Sequence, residues 1–153
     1  MATKTPNQDR GSAKAWTDDE KDAMKERAKE LKAQSRRSPE QERAEGEQEL
    51  LGKIADMPQP DRGIAERIHQ IVSSTAPQLM PRTYYGMPAW AKDGKVLCFY
   101  QPAAKFKARY GTFGFNDDAL LDEGDQWATS WAIRELTPAG EQAIADLVRK
   151  AVG

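Results

Sequence analysis

Apolar residues are sparse in the first third of the chain and recur at regular spacing in the remainder. Residues 1–15 are polar and contain Pro and Gly, a composition that predicts disorder. Thr17 followed by Glu20 forms a capping-box pattern, which predicts the start of a helix. The run 17–34 is rich in Glu, Lys, Ala and Arg but has only a thin apolar stripe, so we expect a charged, solvated helix. Residues 35–46 are charged and contain breakers, and they are interpreted as a linker.

Two amphipathic helices are predicted next. Apolar residues recur at helical spacing through residues 50–57 and stop before Pro58. Asp61 then begins a second helix, whose apolar face is formed by Ile64, Ile68, Ile71 and Val72. Both stripes are broad enough to pack against a sheet. We therefore divide the chain into residues 1–46, comprising a disordered tail, a charged helix and a linker, and a folded domain of residues 47–153.

A β-hairpin is the clearest local signal in the sequence. Asp93-Gly94 lies between two apolar runs, and a type I′ turn needs positive φ at both of its central positions. Pairing outward from this turn places Trp90 opposite Leu97. Both faces of the hairpin would be apolar, which predicts cover on both sides or one face turned toward a ligand. Pro88 cannot donate to a ladder, so its strand is expected to be an edge strand or a bulged one.

The last part of the chain continues the sheet and closes with a helix. A strand is predicted over 109–115, a short helical turn capped by Asn116 follows, and 130–136 alternates as a further strand. Thr137 and the proline after it predict the start of the final helix. The fold class expected is α+β, with a small antiparallel sheet, flanking helices and a charged helical extension at the N-terminus.

Composition narrows the function classes. The chain has 153 residues and a formal net charge of −1, which argues against a general nucleic-acid or anionic-membrane binder. No apolar run approaches the ~18 residues that would span a bilayer, and the first eleven residues lack the apolar stretch of a secretory signal. Cys98 is the single cysteine and fits a reducing compartment. A cytoplasmic protein with no membrane partner is the expectation.

The hairpin region also resembles a known family. The residues that carry the resemblance are Tyr85-Gly86-Met87-Pro88-Ala89-Trp90, Gly94-Lys95, Phe99 and Ala104-Lys105. Over roughly residues 50–150 the chain is similar to the bacterial YdhG-like family, domain-of-unknown-function family 1801. The resemblance implies a compact domain with an antiparallel sheet and flanking helices, and some relatives carry a frataxin-like iron-chaperone label. The chain departs from the family pattern in having no His after the Lys of its basic segment.

Nucleophilic catalysis finds little support in the residues. His69 is the only histidine, no serine lies in a Gly-x-Ser-x-Gly elbow, and Cys98 falls mid-strand, where a small buried hydrophobe is expected. One His and one Cys cannot build a closed tetrahedral metal site. We name no catalytic residue, and the choice between enzyme and non-enzyme stays open with non-enzyme favoured.

An acidic stretch offers oxygen ligands that suit hard cations or ferrous iron. No cofactor is identified by the residues, and iron is the metal considered. The alternative interpretation is a surface turn whose acids favour a helix N-terminus. The candidate metal-binding residues are Asp117, Asp118, Asp122, Glu123 and Asp125.

A second candidate site combines basic and aromatic side chains. Lysines and an arginine spaced two apart share one face if the chain is extended, and tyrosines and a tryptophan lie nearby in the sequence. Such a surface can hold a carboxylate, a phosphate or a flat conjugated molecule. The alternative is a solvated strand edge whose lysines discourage aggregation. The candidate ligand-binding residues are Tyr85, Met87, Trp90, Lys105, Lys107 and Arg109.

Three functions follow as hypotheses. The leading one is a non-enzymatic cytoplasmic binding domain that holds a small anionic or flat molecule beside the hairpin of residues 84–100. The alternative is an intracellular iron-binding chaperone that carries ferrous iron on the surface carboxylates. A third is an interaction protein that binds a protein partner through the helix 17–34.

Overall fold

The computed structural model describes residues 15–153, which form four α-helices and a five-stranded antiparallel sheet. The disorder predicted for residues 1–15 lies outside the described residues except at Ala15. The predicted α+β class is confirmed. The elements are α1 (Asp18–Gln34), α2 (Pro39–Ala55), α3 (Asp61–Thr75), β1 (Met80–Tyr84), β2 (Met87–Lys92), β3 (Lys95–Gln101), a 3₁₀ helix (Ala103–Phe106), β4 (Gly111–Phe115), β5 (Ser130–Ile133) and α4 (Pro138–Val152).

Helix α1 is the predicted charged helix. The Thr17 hydroxyl accepts a hydrogen bond from the Glu20 amide at 3.1 Å, which caps the helix start. Among the residues of α1 only Ala23 and Glu30 are buried. The thin apolar stripe read from the sequence therefore corresponds to a thin buried face.

Helix α2 corrects the predicted linker. Ser38 and Gln41 form a capping box, and Pro39 occupies the first helical turn, so residues 39–46 are helical. The linker interpretation of residues 35–46 is wrong because a proline such as Pro39 does not break a helix at every position. At the first turn of a helix, the fixed φ of proline suits the backbone and its missing N–H is not needed. The boundary placed at residue 46 thus falls inside α2.

The sheet has the order β1-β2-β3-β4-β5, and each strand is antiparallel to its neighbours. Strand β1, which contains Pro81, is not among the predicted strands. Pro81 is tolerated because β1 is an edge strand. Strand β2 lies between β1 and β3, so an edge position for Pro88 is wrong and the bulged alternative holds.

The hairpin turn is confirmed, but its predicted register is not. Asp93 and Gly94 have φ values of 51° and 81°, as a type I′ turn requires. Beyond Ala91, which pairs with Val96, the register shifts at a β-bulge, and Trp90 pairs with Cys98 instead of Leu97. A bulge adds an unpaired residue to one strand, which simple outward counting from the turn cannot detect.

One core joins the sheet to the helices. Trp90, Tyr100 and Phe113 are fully buried in it, together with Ile68 from α3 and Val148 from α4. Burial of this apolar surface supplies the main driving force for folding. Trp90 and Tyr100, two of the five rings in residues 84–100, are therefore packing residues.

The loop after β4 differs from its prediction. Asn116 begins a tight turn and not a helical one, and its side-chain amide donates to the Val96 carbonyl at 3.1 Å. The predicted strand 130–136 is shorter, since β5 ends at Ile133. The closing helix is confirmed, with Thr137 as its N-cap.

Candidate functional site

Two of the predicted ligand-binding residues belong to the core. Trp90 is 1% exposed and Met87 is 5% exposed, so neither presents a free surface. The Trp90 indole N–H donates to His69 Nδ1 at 3.2 Å, and His69 Nε2 lies 3.1 Å from a Glu47 carboxylate oxygen. Because Nδ1 accepts, the proton lies on Nε2 and points to Glu47. Both ring nitrogens of His69 are thus satisfied by protein partners.

The basic segment is not extended, which corrects the premise that its cations share one strand face. Ala103–Phe106 is a 3₁₀ helix and Lys107 has a φ of 54°, so the direction of successive side chains changes. The turn forms because the Asp61 carboxylate accepts from two consecutive amides, those of residues 103 and 104, at 3.2 Å and 3.0 Å. An acceptor from a distant helix is a tertiary cause that the local spacing does not reveal.

The three cations of this segment consequently point to different places. The Lys105 ammonium lies 3.4 Å from a Glu26 carboxylate oxygen and beside Gly86. The Lys107 side chain is 86% exposed, with Asp19 at 3.9 Å. Arg109 stacks over the ring of the neighbouring tyrosine at 5.3 Å. Of the three, Lys105 alone is brought beside the Tyr85-Gly86 turn.

The β1–β2 turn contains two backbone donors that converge on one carboxylate. Tyr85 and Gly86 both have positive φ, 52° and 75°, which matches the two-residue turn between antiparallel strands. The Tyr85 amide donates to Glu30 Oε2 at 2.8 Å, and the Gly86 amide donates to Glu30 Oε1 at 2.6 Å. We call these two N–H groups the turn-amide pair. They form a bidentate cradle for an acidic group.

Glu30 reaches this cradle from α1 and is itself 9% exposed. Arg27, one turn earlier, lies 3.3 Å from Glu30 Oε2. Its guanidinium also stacks over Tyr84 at 4.8 Å and over Tyr85 at 5.6 Å from the ring centres. The tyrosine rings at this turn are therefore covered by an arginine, a favourable cation–π arrangement.

A second acidic group of α1 lies beside the first. Glu26 is 3.4 Å from the ammonium of Lys53 and 3.4 Å from that of Lys105. These side chains border a cavity of about 270 Å³ next to the turn. Its lining includes Glu26, Lys53, Met57, Gly86, Pro102 and Lys105. Two lysines and two amides from the domain thus face two carboxylates from α1.

Sequence reasoning missed four residues of this arrangement. Glu26 and Glu30 were two acids among many on a charged helix, and Lys53 lay in a predicted packing helix. The sequence predicts only that Asp61 begins a helix, a role that many exposed aspartates fill, whereas in the structure Asp61 is 4% exposed. Burial, and then the neighbouring Asp61 carboxylate, raises the pKa of Tyr100 well above its usual range.

The five acids proposed as metal ligands, residues 117–125, do not converge on one point in the structure. All five acids are exposed; Asp118 lies 3.8 Å from Lys95, and Glu123 lies 3.6 Å from Lys150. Asp117, Asp122 and Asp125 border an open depression of about 650 Å³. Residues 15–153 contain no group of three or more His, Cys, Asp or Glu side chains close enough together to hold a metal ion. Iron binding by these acids stays a prediction.

Cys98 has the environment of a packing residue. It is fully buried in β3, and burial raises the pKa of its thiol far above the usual range. A thiol that resists ionisation is a poor nucleophile at neutral pH.

No helix in the described part of the chain is long and apolar enough to cross a membrane. Comparison with family models, with curated proteins and with solved structures finds no match for this chain. The resemblance to the YdhG-like family therefore stays a prediction. The class that the fold defines is an α+β domain with helices flanking an antiparallel sheet.

Proposed function

We propose that the chain is a non-enzymatic binding domain for a small anionic molecule, recognised at the β1–β2 turn. The observation that carries this proposal is the turn-amide pair. The N–H groups of Tyr85 and Gly86 approach the two oxygens of one carboxylate at 2.8 Å and 2.6 Å. Backbone donors arranged in this way suit a carboxylate or phosphate group, because both oxygens are bound at once.

The surrounding charges support an anion. Lys53 and Lys105 border the cavity beside the turn, and each ammonium lies 3.4 Å from the same carboxylate. Hydrogen bonds to a charged group contribute about 1.5–3 kcal/mol each, so two of them correspond to millimolar binding of a small ligand. A contact with one or both lysines would bring the affinity into the micromolar range at low salt.

An anion is favoured over a flat aromatic molecule. Trp90 is buried in the core, and the rings of Tyr84 and Tyr85 are covered by Arg27. With α1 in place, the hairpin therefore presents two converging donors at this position and no open aromatic face on which a conjugated ligand could stack. The proposed ligand is therefore a molecule with a carboxylate or phosphate group.

The test is a titration of isotope-labelled full-length protein with glutarate, and separately with inorganic phosphate, followed by NMR of the backbone amides. The Tyr85 and Gly86 resonances should shift most. Lys105→Ala should weaken binding about tenfold, the effect of one lost charge contact. Lys107→Ala is the matched control, because its side chain is 86% exposed, and it should change the affinity by less than about twofold.

A Glu30→Ala variant is included because it frees the turn-amide pair. If neither anion shifts the Tyr85 and Gly86 amides at about 10 mM in the wild type or in this variant, the proposal is wrong. Equal weakening by Lys105→Ala and Lys107→Ala would also contradict it, since that result indicates general charge attraction.

A further inference from the structure

We propose that α1 is a tethered competitor for this site, and that the ligand it imitates carries two acidic groups. Glu30 on the turn-amide pair and Glu26 between Lys53 and Lys105 take the positions of those two groups. Ligand binding then requires α1 to leave. This inference rests on the proposed function and adds to it the class of ligand and the way in which access is regulated.

The spacing of the two carboxylates defines the ligand class. Glu26 and Glu30 are four residues apart, so they lie on one face of α1, about 5–6 Å apart at Cβ. They engage two different sets of donors, backbone amides in one case and ammonium groups in the other. A small dicarboxylate or a molecule with one carboxylate and one phosphate meets both sets, whereas a single acidic group meets one.

The attachment of α1 is mainly polar. Ala23 is its one buried apolar residue, while Met24 is 39% exposed and Leu31 is 53% exposed. The other contacts that hold α1 are ionic, hydrogen-bonded or cation–π, including the bond from the Gln34 side chain to the Thr83 carbonyl at 3.0 Å and the stacking of Arg27 over Tyr84. Such contacts exchange readily with water and with competing ions, because each is largely replaced on release.

The rest of the fold does not depend on α1 in the same way. Helix α2 buries Leu50 and Ile54 in the core, at 0% and 2% exposure. Its start is held separately: Ser38 caps it, and the buried Arg37 side chain pairs with Glu45 at 3.2 Å and also with Glu49. Release of α1 would therefore begin at residues 35–36 and leave α2 in place.

The tether makes α1 an effective competitor despite its weak apolar contact. The segment between α1 and α2 is residues 35–38, so a released helix stays close to its site. A short connection of this kind gives an effective concentration in the millimolar range or above. An external ligand then binds with an affinity reduced by the fraction of molecules in which the site is free.

The experiment measures glutarate affinity of the full-length chain by calorimetry in the wild type and in the Glu26→Gln/Glu30→Gln double variant. The double variant should bind glutarate at least about tenfold more tightly, because its α1 no longer places acidic groups in the site. The matched control is Asp18→Asn/Asp22→Asn, which removes two charges at the same spacing from α1 and should stay within about twofold of the wild type. Acetate, with one acidic group, should bind the double variant more weakly than glutarate.

A variant-free measurement accompanies it. Hydrogen exchange of the wild type with saturating glutarate should accelerate over Asp18–Gln34 and stay unchanged over α2, α3 and α4. Equal glutarate affinity in wild type and double variant, or unchanged α1 protection at saturation, overturns the competitor while leaving the binding proposal intact. Absence of glutarate binding in both the wild type and the double variant overturns the binding proposal, and the proposal that α1 is a competitor with it.

Discussion

Asp61→Ala should destabilise the protein and loosen the segment that carries Lys105. The Asp61 carboxylate is 4% exposed and accepts from the amides of Ala103 and Ala104 at 3.2 Å and 3.0 Å. Asp61 is also the first residue of α3, where a negative charge interacts favourably with the helix N-terminus. Its removal leaves two backbone donors of the partly exposed turn Ala103–Phe106 without their acceptor.

The magnitude follows from these contacts. Each hydrogen bond to a charged acceptor contributes about 1.5 kcal/mol at the lower end of its range, and the helix-terminus interaction adds about 0.5 kcal/mol. The free energy of unfolding should therefore fall by about 3.5 kcal/mol. Asp61→Asn keeps one oxygen acceptor in the same place, so about half of this loss is expected.

Urea unfolding followed by tryptophan fluorescence measures the effect. With a slope of about 2 kcal/mol per molar urea for a domain of this size, the midpoint of Asp61→Ala should fall by about 1.7 M. Asp125→Ala removes an exposed carboxylate and should move the midpoint by less than about 0.3 M. If the two variants unfold at the same urea concentration, Asp61 does not hold the turn and the reasoning is refuted.

Two further predictions concern the turn and the core. Gly86 has a φ of 75°, and a Cβ there would lie 2.7 Å from the Lys105 ammonium and 2.8 Å from Glu26 Cδ. Gly86→Ala should abolish the chemical-shift changes that glutarate induces. Gly94→Ala is the control: Gly94 has a φ of 81° with nothing within 4 Å of an added Cβ, so the change should cost about 1 kcal/mol of stability without affecting those shifts. Equal effects of the two variants on binding would contradict a binding site at the β1–β2 turn. The Cys98 thiol stays protonated in the folded state but ionises near pH 9.0 when unfolded, so stability should fall by about 1.4 kcal/mol per pH unit above pH 9. Denaturant unfolding between about pH 8 and 10.5 should show the wild type losing stability faster than Cys98→Ala, and a constant difference between them would refute a buried neutral thiol.

Local signals predicted most of the helices and the central turn. Thr17 and Thr137 cap their helices as expected, and Asp93-Gly94 forms the turn. These features depend on a few consecutive residues, whose side chains satisfy backbone groups next to them. The start of α2 is equally local, since Ser38 and Gln41 form a capping box around Pro39 within four consecutive residues.

The missed strand and the shifted register have a different origin. Pro81 is acceptable in β1 because one side of that strand is unpaired, and strand order is not a local property. The bulge beside Trp90 likewise reflects how the sheet meets the core. Neither the edge position of β1 nor the bulge in β2 can be predicted from the spacing of apolar residues.

By itself the sequence determined the α+β class, the starts of the helices capped by Thr17 and Thr137, and the two-residue turn with its positive φ values, because short-range hydrogen bonding and hydrophobic spacing decide these. The tertiary structure decided the candidate site. Glu30 meets the amides of Tyr85 and Gly86 across 55 and 56 residues of chain, and Asp61 bends the segment of Lys105 across 42 and 43. A carboxylate has no sequence preference for one distant donor over another. Its partner is set only when packing brings the two elements together and removes the competing water.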